Sequence, residues 1–204
     1  MSAIGSMLAA ATLTLALAGC GNDDGAEPAA DQTAANGDVF NTADVEFATQ
    51  MIPHHAQALE MVDLTVGRDL TPETAELVES IRAAQTPEVE QMTDWLTAWD
   101  QEVPATSLDH SNAEGEGEDM EGMEGMEDMP GMMSSDEMAA LADAPDAEFE
   151  QMFLEMMIEH HTGAVEMAET EQEEGQFAEA ITLAEGIESG QTAEISEMET
   201  ILGS

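Results

Sequence analysis

Residues 51–55 read MIPHH, and residues 157–161 read MIEHH. The same offset of 106 residues relates further positions on both sides of these two segments. The matched pairs are Phe47 and Phe153, Ala58 and Ala164, Met61 and Met167, Gln85 and Gln191, Glu88 and Glu194, and Met92 and Met198. One offset that holds throughout indicates two copies of one structural unit, with no net insertion inside either copy.

The first copy, residues 39–100, has the signals of two helices. Asn41 or Thr42 can cap a helix that Gly67 ends, and Thr71 followed by Pro72 is a typical start for the next helix. Because Ala, Leu and Met carry most of the apolar content and only 3% of residues are aromatic, helices are favoured over strands.

The second copy, residues 146–202, repeats the pattern. Pro145 and Asp146 open a helix that Gly175 breaks, and a last helix extends from near Gln176 to Leu202. Each of the four helices has an apolar face that needs a partner. The sequence therefore predicts an all-α fold, a four-helix bundle built from two repeated helix pairs.

The chain is strongly acidic. It has 46 Asp and Glu against two Lys and Arg among 204 residues, which gives a formal net charge of −44. Such a surface disfavours nucleic acid and anionic membranes, since both need basic side chains for binding, and it attracts cations. Most of these acids are interpreted as solvating the surface.

The first residues indicate export. Residues 7–18 form an apolar run that is too short to span a bilayer and fits the core of a signal peptide, although no Lys or Arg precedes it. The run leads into residues 17–20, LAGC, which resemble a bacterial lipobox with Cys20 as the lipidated residue. We therefore expect a signal peptide at 1–19, a flexible tether at 20–38, and a lipid-anchored protein on the outer face of the cytoplasmic membrane or in the cell envelope.

Histidines and methionines share one helical stripe in each copy. At 100° per residue, the side chains of each set fall within an arc of about 120°. These side chains are Met51, His54, His55 and Met61 in the first copy and Met157, His160, His161 and Met167 in the second. Imidazole and thioether together favour a soft or borderline metal, copper above all and Cu(I) in particular.

Each of these residue types also has an ordinary structural use. Methionine on an apolar helical face usually packs in the core, and a single buried histidine is usually held by a hydrogen bond. Two adjacent pairs at matching positions of a repeat favour the ligand interpretation. The sequence leaves open which histidine of each pair points inward, while the other could bond a nearby carboxylate such as Glu159.

Residues 101–145 form an acidic linker that is rich in methionine. Seven of the 17 methionines lie within 19 residues: Met120, Met123, Met126, Met129, Met132, Met133 and Met138. A period of three with interleaved Gly and acids does not make an amphipathic helix, so residues 101–133 are predicted to be disordered without a ligand, and residues 135–143 to form a short helix. A flexible chain of thioethers suits Cu(I) or Ag(I), with His110 as a further donor. The alternative is a low-complexity linker without metal.

The two histidine motifs, together with Gln85, Glu88 and Met92 and their counterparts, resemble the bacterial "domain of unknown function 305" family over residues 39–100 and 146–202. The resemblance implies an exported protein with a ferritin-like four-helix fold, in a family with some copper-binding members. It implies that the eight residues of the two stripes are the candidate metal site. The methionine-rich linker is not part of the resemblance.

The expected function is that of a copper-binding lipoprotein that sequesters Cu(I), and also Ag(I) or Cu(II), outside the cytoplasm. Two other hypotheses remain open. One is a metal-dependent oxidoreductase, for example a cuprous oxidase, on the same fold; no catalytic residue is predicted for it. The other is an acidic interaction module that uses no metal. The sequence also leaves open whether the chain forms a homo-oligomer.

Overall fold

Four long helices and one short helix make up most of the described chain. The computed structural model describes residues 31–106 and 129–203. The helices are α1 (Thr42–Asp63), α2 (Pro72–Ala98), α3 (Ser135–Asp143), α4 (Asp146–Glu174) and α5 (Ala178–Leu202), and two short strands, β1 (Gln32–Thr33) and β2 (Val39–Phe40), pair antiparallel. The predicted all-α bundle is confirmed.

The helix ends follow the predicted signals. Asn41 caps α1 in a capping box, in which its side chain accepts from the Asp44 amide and the Asp44 carboxylate accepts from the Asn41 amide. Thr71 caps α2, with Pro72 as the first helical residue. Gly175 follows the last residue of α4.

The two helix pairs pack against each other through α1 and α4. Within each pair, α1 packs on α2 and α4 packs on α5. The buried apolar residues form two clusters. The Phe47 cluster includes Phe40, Phe47, Met51, Met92, Leu96, Trp99, Ala164, Met167 and Phe177. The Phe153 cluster includes Ala58, Met61, Leu77, Ile81, Met133, Phe149, Phe153, Met157 and Met198.

The clusters show that α1 and α4 cross antiparallel. The Phe47 cluster takes residues 47–52 of α1 and residues 164–168 of α4, whereas the Phe153 cluster takes residues 58–62 of α1 and residues 149–157 of α4. The histidines at 54–55 and 160–161 therefore lie between the two clusters, where the helices cross.

Two segments that the sequence predicted to be flexible are part of the fold. The β1–β2 hairpin covers residues 32–40 and so includes the end of the tether predicted at 20–38; the ring centroids of Phe40 and Trp99 stack 4.5 Å apart. Residues 129–133, predicted to be disordered, pack against α1 and α4. The aromatic stack and the helix contacts supply order that the local composition does not indicate.

Several predictions concern residues outside the described ranges. These are the signal peptide, the lipidation site Cys20, His110, and Met120, Met123 and Met126 of the methionine-rich linker. None of the helices in the described ranges is long and apolar enough to cross a membrane.

Candidate metal centre

The four repeated histidines are completely buried at the crossing of α1 and α4, each 0% exposed. The rings of His54 and His160 face each other across the two helices, with centroids 3.8 Å apart and planes inclined by 37°. Since these two residues are equivalent in the repeat, they lie close to the pseudo-twofold axis. The structure therefore brings together the two stripes and places His54 and His160 at their centre.

The facing rings have nitrogen atoms without partners. His54 Nε2 lies 3.0 Å from the carbonyl oxygen of Pro130 and must donate to it, because a carbonyl oxygen only accepts. In the described residues, His54 Nδ1 and both ring nitrogens of His160 have no hydrogen-bond partner. Buried polar atoms without partners are costly and uncommon. Imidazole lone pairs in this state are suited to a metal cation.

Both central rings are neutral at physiological pH. Burial, with a further contribution from the neighbouring His55, lowers the pKa of His54 to about 3. Burial likewise places the pKa of His160 well below its ordinary value, with His54 and His161 adding to the effect. Neutral imidazole is the form that binds metals, so no proton has to leave either ring before an ion binds.

The other histidine of each pair is held by a carboxylate. His55 Nε2 donates to Glu88 at 2.8 Å, and His161 Nε2 donates to Glu194 at 2.8 Å. The suggested Glu159 is exposed and does not have this role. The repeat contained the signal for the true partners, because Glu88 and Glu194 also lie 106 residues apart.

We expect the double variant Glu88→Gln/Glu194→Gln to bind Cu(I) about tenfold more weakly. The two carboxylates hold His55 and His161, which position α1 and α4 around the central pair, so we place the loss at the low end of the 10–100-fold range that is typical when the outer partner of a metal ligand is removed. Competition with a chelator measures the change. The variant Glu90→Gln/Glu197→Gln, which changes two exposed acids on α2 and α5, is the control and should bind like the wild type.

The candidate thioethers flank the histidine pair. Met51, Met61 and Met157 are 0% exposed and Met167 is 8% exposed. Met51 and Met167 belong to the Phe47 cluster, and Met61 and Met157 to the Phe153 cluster. Each side of the histidines thus has one methionine from each helix, which provides apolar packing as well as soft donors.

The linker methionines are divided between two kinds of position. Met133 is 4% exposed in the Phe153 cluster, and Met138 packs partly buried against it. Met129 and Met132 are half-buried. In residues 31–106 and 129–203, no three His, Cys, Asp or Glu side chains lie together as they would in a preformed site. An ion at the centre would therefore rely on two imidazoles and on thioethers.

An acidic groove lies at the surface beside the centre. It has a volume of about 270 Å³ and is lined by Glu46, Gln50, Pro130, Glu166, Glu171 and Glu174, with Phe47 and Met167 as apolar walls. Pro130 is also the residue whose carbonyl bonds His54. Carboxylates in a concave surface raise the local concentration of cations in this groove.

Glu171 in this groove is a buried acid beside a second buried acid. Glu171 is 1% exposed and Asp44 is 0% exposed. Asp44 accepts the backbone amides of Gln176 and Phe177 at 3.0 and 2.8 Å. Among the described residues no donor bonds the oxygens of Glu171. Burial, together with the neighbouring Asp44, raises the pKa of Glu171 to about 9, so the protonated acid can donate to Asp44.

This proton makes stability depend on pH. The unfolded chain releases it near the ordinary pKa of 4.5, whereas the folded chain keeps it to about 9. The contribution of Glu171 to the free energy of unfolding should therefore be greatest below pH 4.5. It should fall by up to about 1.4 kcal/mol per pH unit as the pH rises from 4.5 to 9. In urea denaturation, the free energy of unfolding should fall between pH 5.5 and pH 8.5, and this fall should be smaller in Glu171→Gln than in the wild type by at least about 2 kcal/mol. The exposed control Glu173→Gln should behave like the wild type.

A family model with the description "Domain of unknown function (DUF305)" matches residues 44–202. Solved structures of two bacterial DUF305 proteins are similar to this chain. The fragment from Deinococcus radiodurans is 30% identical, with 87% of this chain and 99% of that chain covered and a TM-score of 0.64. The protein from Streptomyces coelicolor, presumed to be secreted, is 29% identical, with 79% of this chain and 92% of that chain covered and a TM-score of 0.65.

A third similar structure carries metal. CopM in its Cu(II)-bound form is 29% identical, with 78% of this chain and 95% of that chain covered and a TM-score of 0.61. CopM has also been solved in Cu(I)-bound and Ag-bound forms, which are 27% and 26% identical to this chain. No curated protein matches this chain.

Proposed function

This chain belongs to the DUF305 family, and from that premise we propose that it binds copper outside the cytoplasm. Cu(I) is the preferred ion, and Ag(I) and Cu(II) are further ions that the same donors accept. The protein sequesters the ion and does not transform it. A similar protein, CopM, binds copper in both oxidation states and also silver.

The observation that carries this proposal is the buried, facing pair of His54 and His160. Two neutral rings 3.8 Å apart have three nitrogens without partners among the described residues. Metal-free, this arrangement leaves buried polar atoms unsatisfied. A cation that accepts one lone pair from each ring would satisfy two of these three nitrogens, and the third, on His160, carries the N–H of that neutral ring.

The surroundings favour a soft ion. Buried thioethers from both helices lie on each side of the pair, and the oxygen ligands that hard cations such as Ca²⁺ and Mg²⁺ need are not gathered there. In this proposal, His54 and His160 are direct ligands, and thioethers from the stripe complete the site. His55 and His161, fixed by Glu88 and Glu194, orient the helices around it.

The remaining parts of the proposal concern export and capture. The lipobox-like sequence at residues 17–20 would anchor the protein through Cys20, and the similarity to a DUF305 protein that is presumed to be secreted supports export. Met120, Met123 and Met126 would form a second, weaker site for Cu(I) in the linker. The acidic surface would raise the local concentration of the ion near both sites.

The test is an anaerobic titration of the purified full chain with Cu(I) against a chromogenic chelator. A parallel titration with Zn(II) reports on selectivity. We expect more than one Cu(I) per chain, with one ion held much more tightly than the rest and with weaker Zn(II) binding. Failure of the chain to withdraw any Cu(I) from the chelator would contradict the proposal and return the histidines to a packing role.

A further inference from the structure

A short segment lies over the histidine pair. We call residues Met129–Met133 the strap. It lies within the methionine-rich linker and leads directly into Ser134, the cap of α3. The carbonyl oxygen of Pro130 accepts from His54 Nε2 at 3.0 Å, while Pro130 itself is exposed and lines the acidic groove. The strap therefore separates a completely buried ring from solvent.

On the α1 side, a second side chain besides His54 holds the strap. Gln57 Nε2 donates to the Met133 carbonyl oxygen at 2.8 Å, and the Met133 amide donates to Gln57 Oε1 at 2.8 Å. Gln57 follows His54 by one helical turn, so both residues present their bonds to the strap from the same part of α1. The side-chain amide of Gln57 thus bonds both the N–H and the C=O of Met133, as the backbone of a paired β-strand would.

On the α4 side, the backbones of strap and helix touch. A Cβ atom at Gly163 would lie 2.0 Å from the Pro130 carbonyl oxygen and 2.7 Å from the Gly131 amide nitrogen. Gly131 has φ of +73°, and a Cβ there would lie 2.7 Å from the Glu159 carbonyl oxygen. Only glycine permits this approach at both positions.

The strap breaks the symmetry of the repeat. Gly163 is the counterpart of Gln57, since 163 minus 57 is 106. The first copy thus has a side chain that binds the strap, and the second copy has a glycine that makes room for it. His54 has a hydrogen bond to the strap through Pro130. Among the described residues, neither ring nitrogen of its counterpart His160 has a hydrogen-bond partner.

We propose that the strap is a removable cover of the histidine pair and that an ion enters or leaves the pair only when the strap lifts. This inference rests on the proposed function and adds its regulation. While the strap is closed, His54 Nε2 is occupied by Pro130 and solvent does not reach either central ring. The strap also carries two half-buried thioethers, Met129 and Met132, so the segment that covers the pair brings soft donors with it.

Gly163→Ala tests this directly, because the added methyl group displaces the strap backbone. Gly186→Ala is the matched control, since a Cβ at this helical glycine meets no atom within 4 Å. Gln57→Ala detaches the strap without adding atoms and keeps the test valid if Gly163→Ala fails to fold. Loss of the two hydrogen bonds that Gln57 makes to Met133 should increase the fraction of molecules with an open strap at least about tenfold.

Two rates are measured in the full chain. The first is modification of histidine in the metal-free protein by diethyl pyrocarbonate, with His54 and His160 followed by mass spectrometry. The second is transfer of bound Cu(I) to excess chelator in a stopped-flow instrument. We expect both rates to rise at least about tenfold in Gly163→Ala and Gln57→Ala and to stay at the wild-type value in Gly186→Ala.

The outcomes separate the two proposals. Faster modification in a chain that does not bind Cu(I) would support the cover and overturn the copper function. Unchanged modification in folded variants would overturn the cover, whatever the affinity for copper. Faster modification with unchanged Cu(I) transfer would show that the ion uses another route and would overturn the role of the strap in exchange.

Discussion

Replacing His54 and His160 together with leucine is expected to weaken Cu(I) binding at the tight site by at least about 100-fold. The substitution removes both central imidazoles, and loss of a partner that merely orients a ligand already costs 10–100-fold in affinity. Leucine fills a similar volume, so the variant should stay folded. It also removes the unpartnered nitrogens, and this favours folding of the metal-free chain.

The control for this variant is Met92→Leu/Met198→Leu. These two methionines are also buried and equivalent in the repeat, but they lie on α2 and α5 and outside the histidine stripes. We expect Cu(I) affinity close to wild type in this control. Equal loss of affinity in both variants would mean that any disturbance of the core weakens binding, and the assignment of the two histidines would be wrong.

The second large effect is expected at Asp44. Its carboxylate is completely buried and accepts the backbone amides of Asn41 at 2.6 Å, Gln176 at 3.0 Å and Phe177 at 2.8 Å. It thereby connects the start of α1 to the start of α5. Asp44→Ala leaves three amides without this partner, and we expect the free energy of unfolding to fall by about 3 kcal/mol in urea denaturation.

The repeat supplies a matched control for Asp44. Its counterpart Glu150 accepts the Thr71 amide at 3.1 Å, and Thr71 is the counterpart of Phe177, but this bond is exposed. Because water can replace an exposed partner, Glu150→Ala should cost less than about 1 kcal/mol. Similar losses in both variants would show that burial of Asp44 contributes little to its role.

Most of the fold could be predicted from signals that act locally. Asn41, Thr71 and Gly175 mark helix ends because caps and breakers work through their own neighbours. The offset of 106 residues predicted two equivalent helix pairs. It could not predict the hairpin or the strap, because both segments are ordered by contacts with distant residues.

The sequence predicted which residues form the candidate site but not which histidine of each pair faces the other helix. Adjacent residues on a helix differ by 100°, so the periodicity placed both histidines of each pair on one broad stripe. The packing of α1 against α4 selects His54 and His160 as the facing pair. The partners Glu88 and Glu194 lie 33 residues after His55 and His161, on other helices, and only the repeat connected them. Gln57 and Gly163 differ between the copies, so comparison of the copies did not identify them.

X-ray absorption at the copper edge tests most directly whether His54 and His160 are ligands of Cu(I). It is measured on the full chain loaded with one equivalent of Cu(I). We expect scattering from the imidazoles of two histidines and from thioether sulfur around the copper ion. In His54→Leu/His160→Leu the imidazole signal should be lost. A spectrum with sulfur neighbours alone, unchanged by the double substitution, would contradict this assignment. The ion would then be bound by methionines without the buried histidine pair.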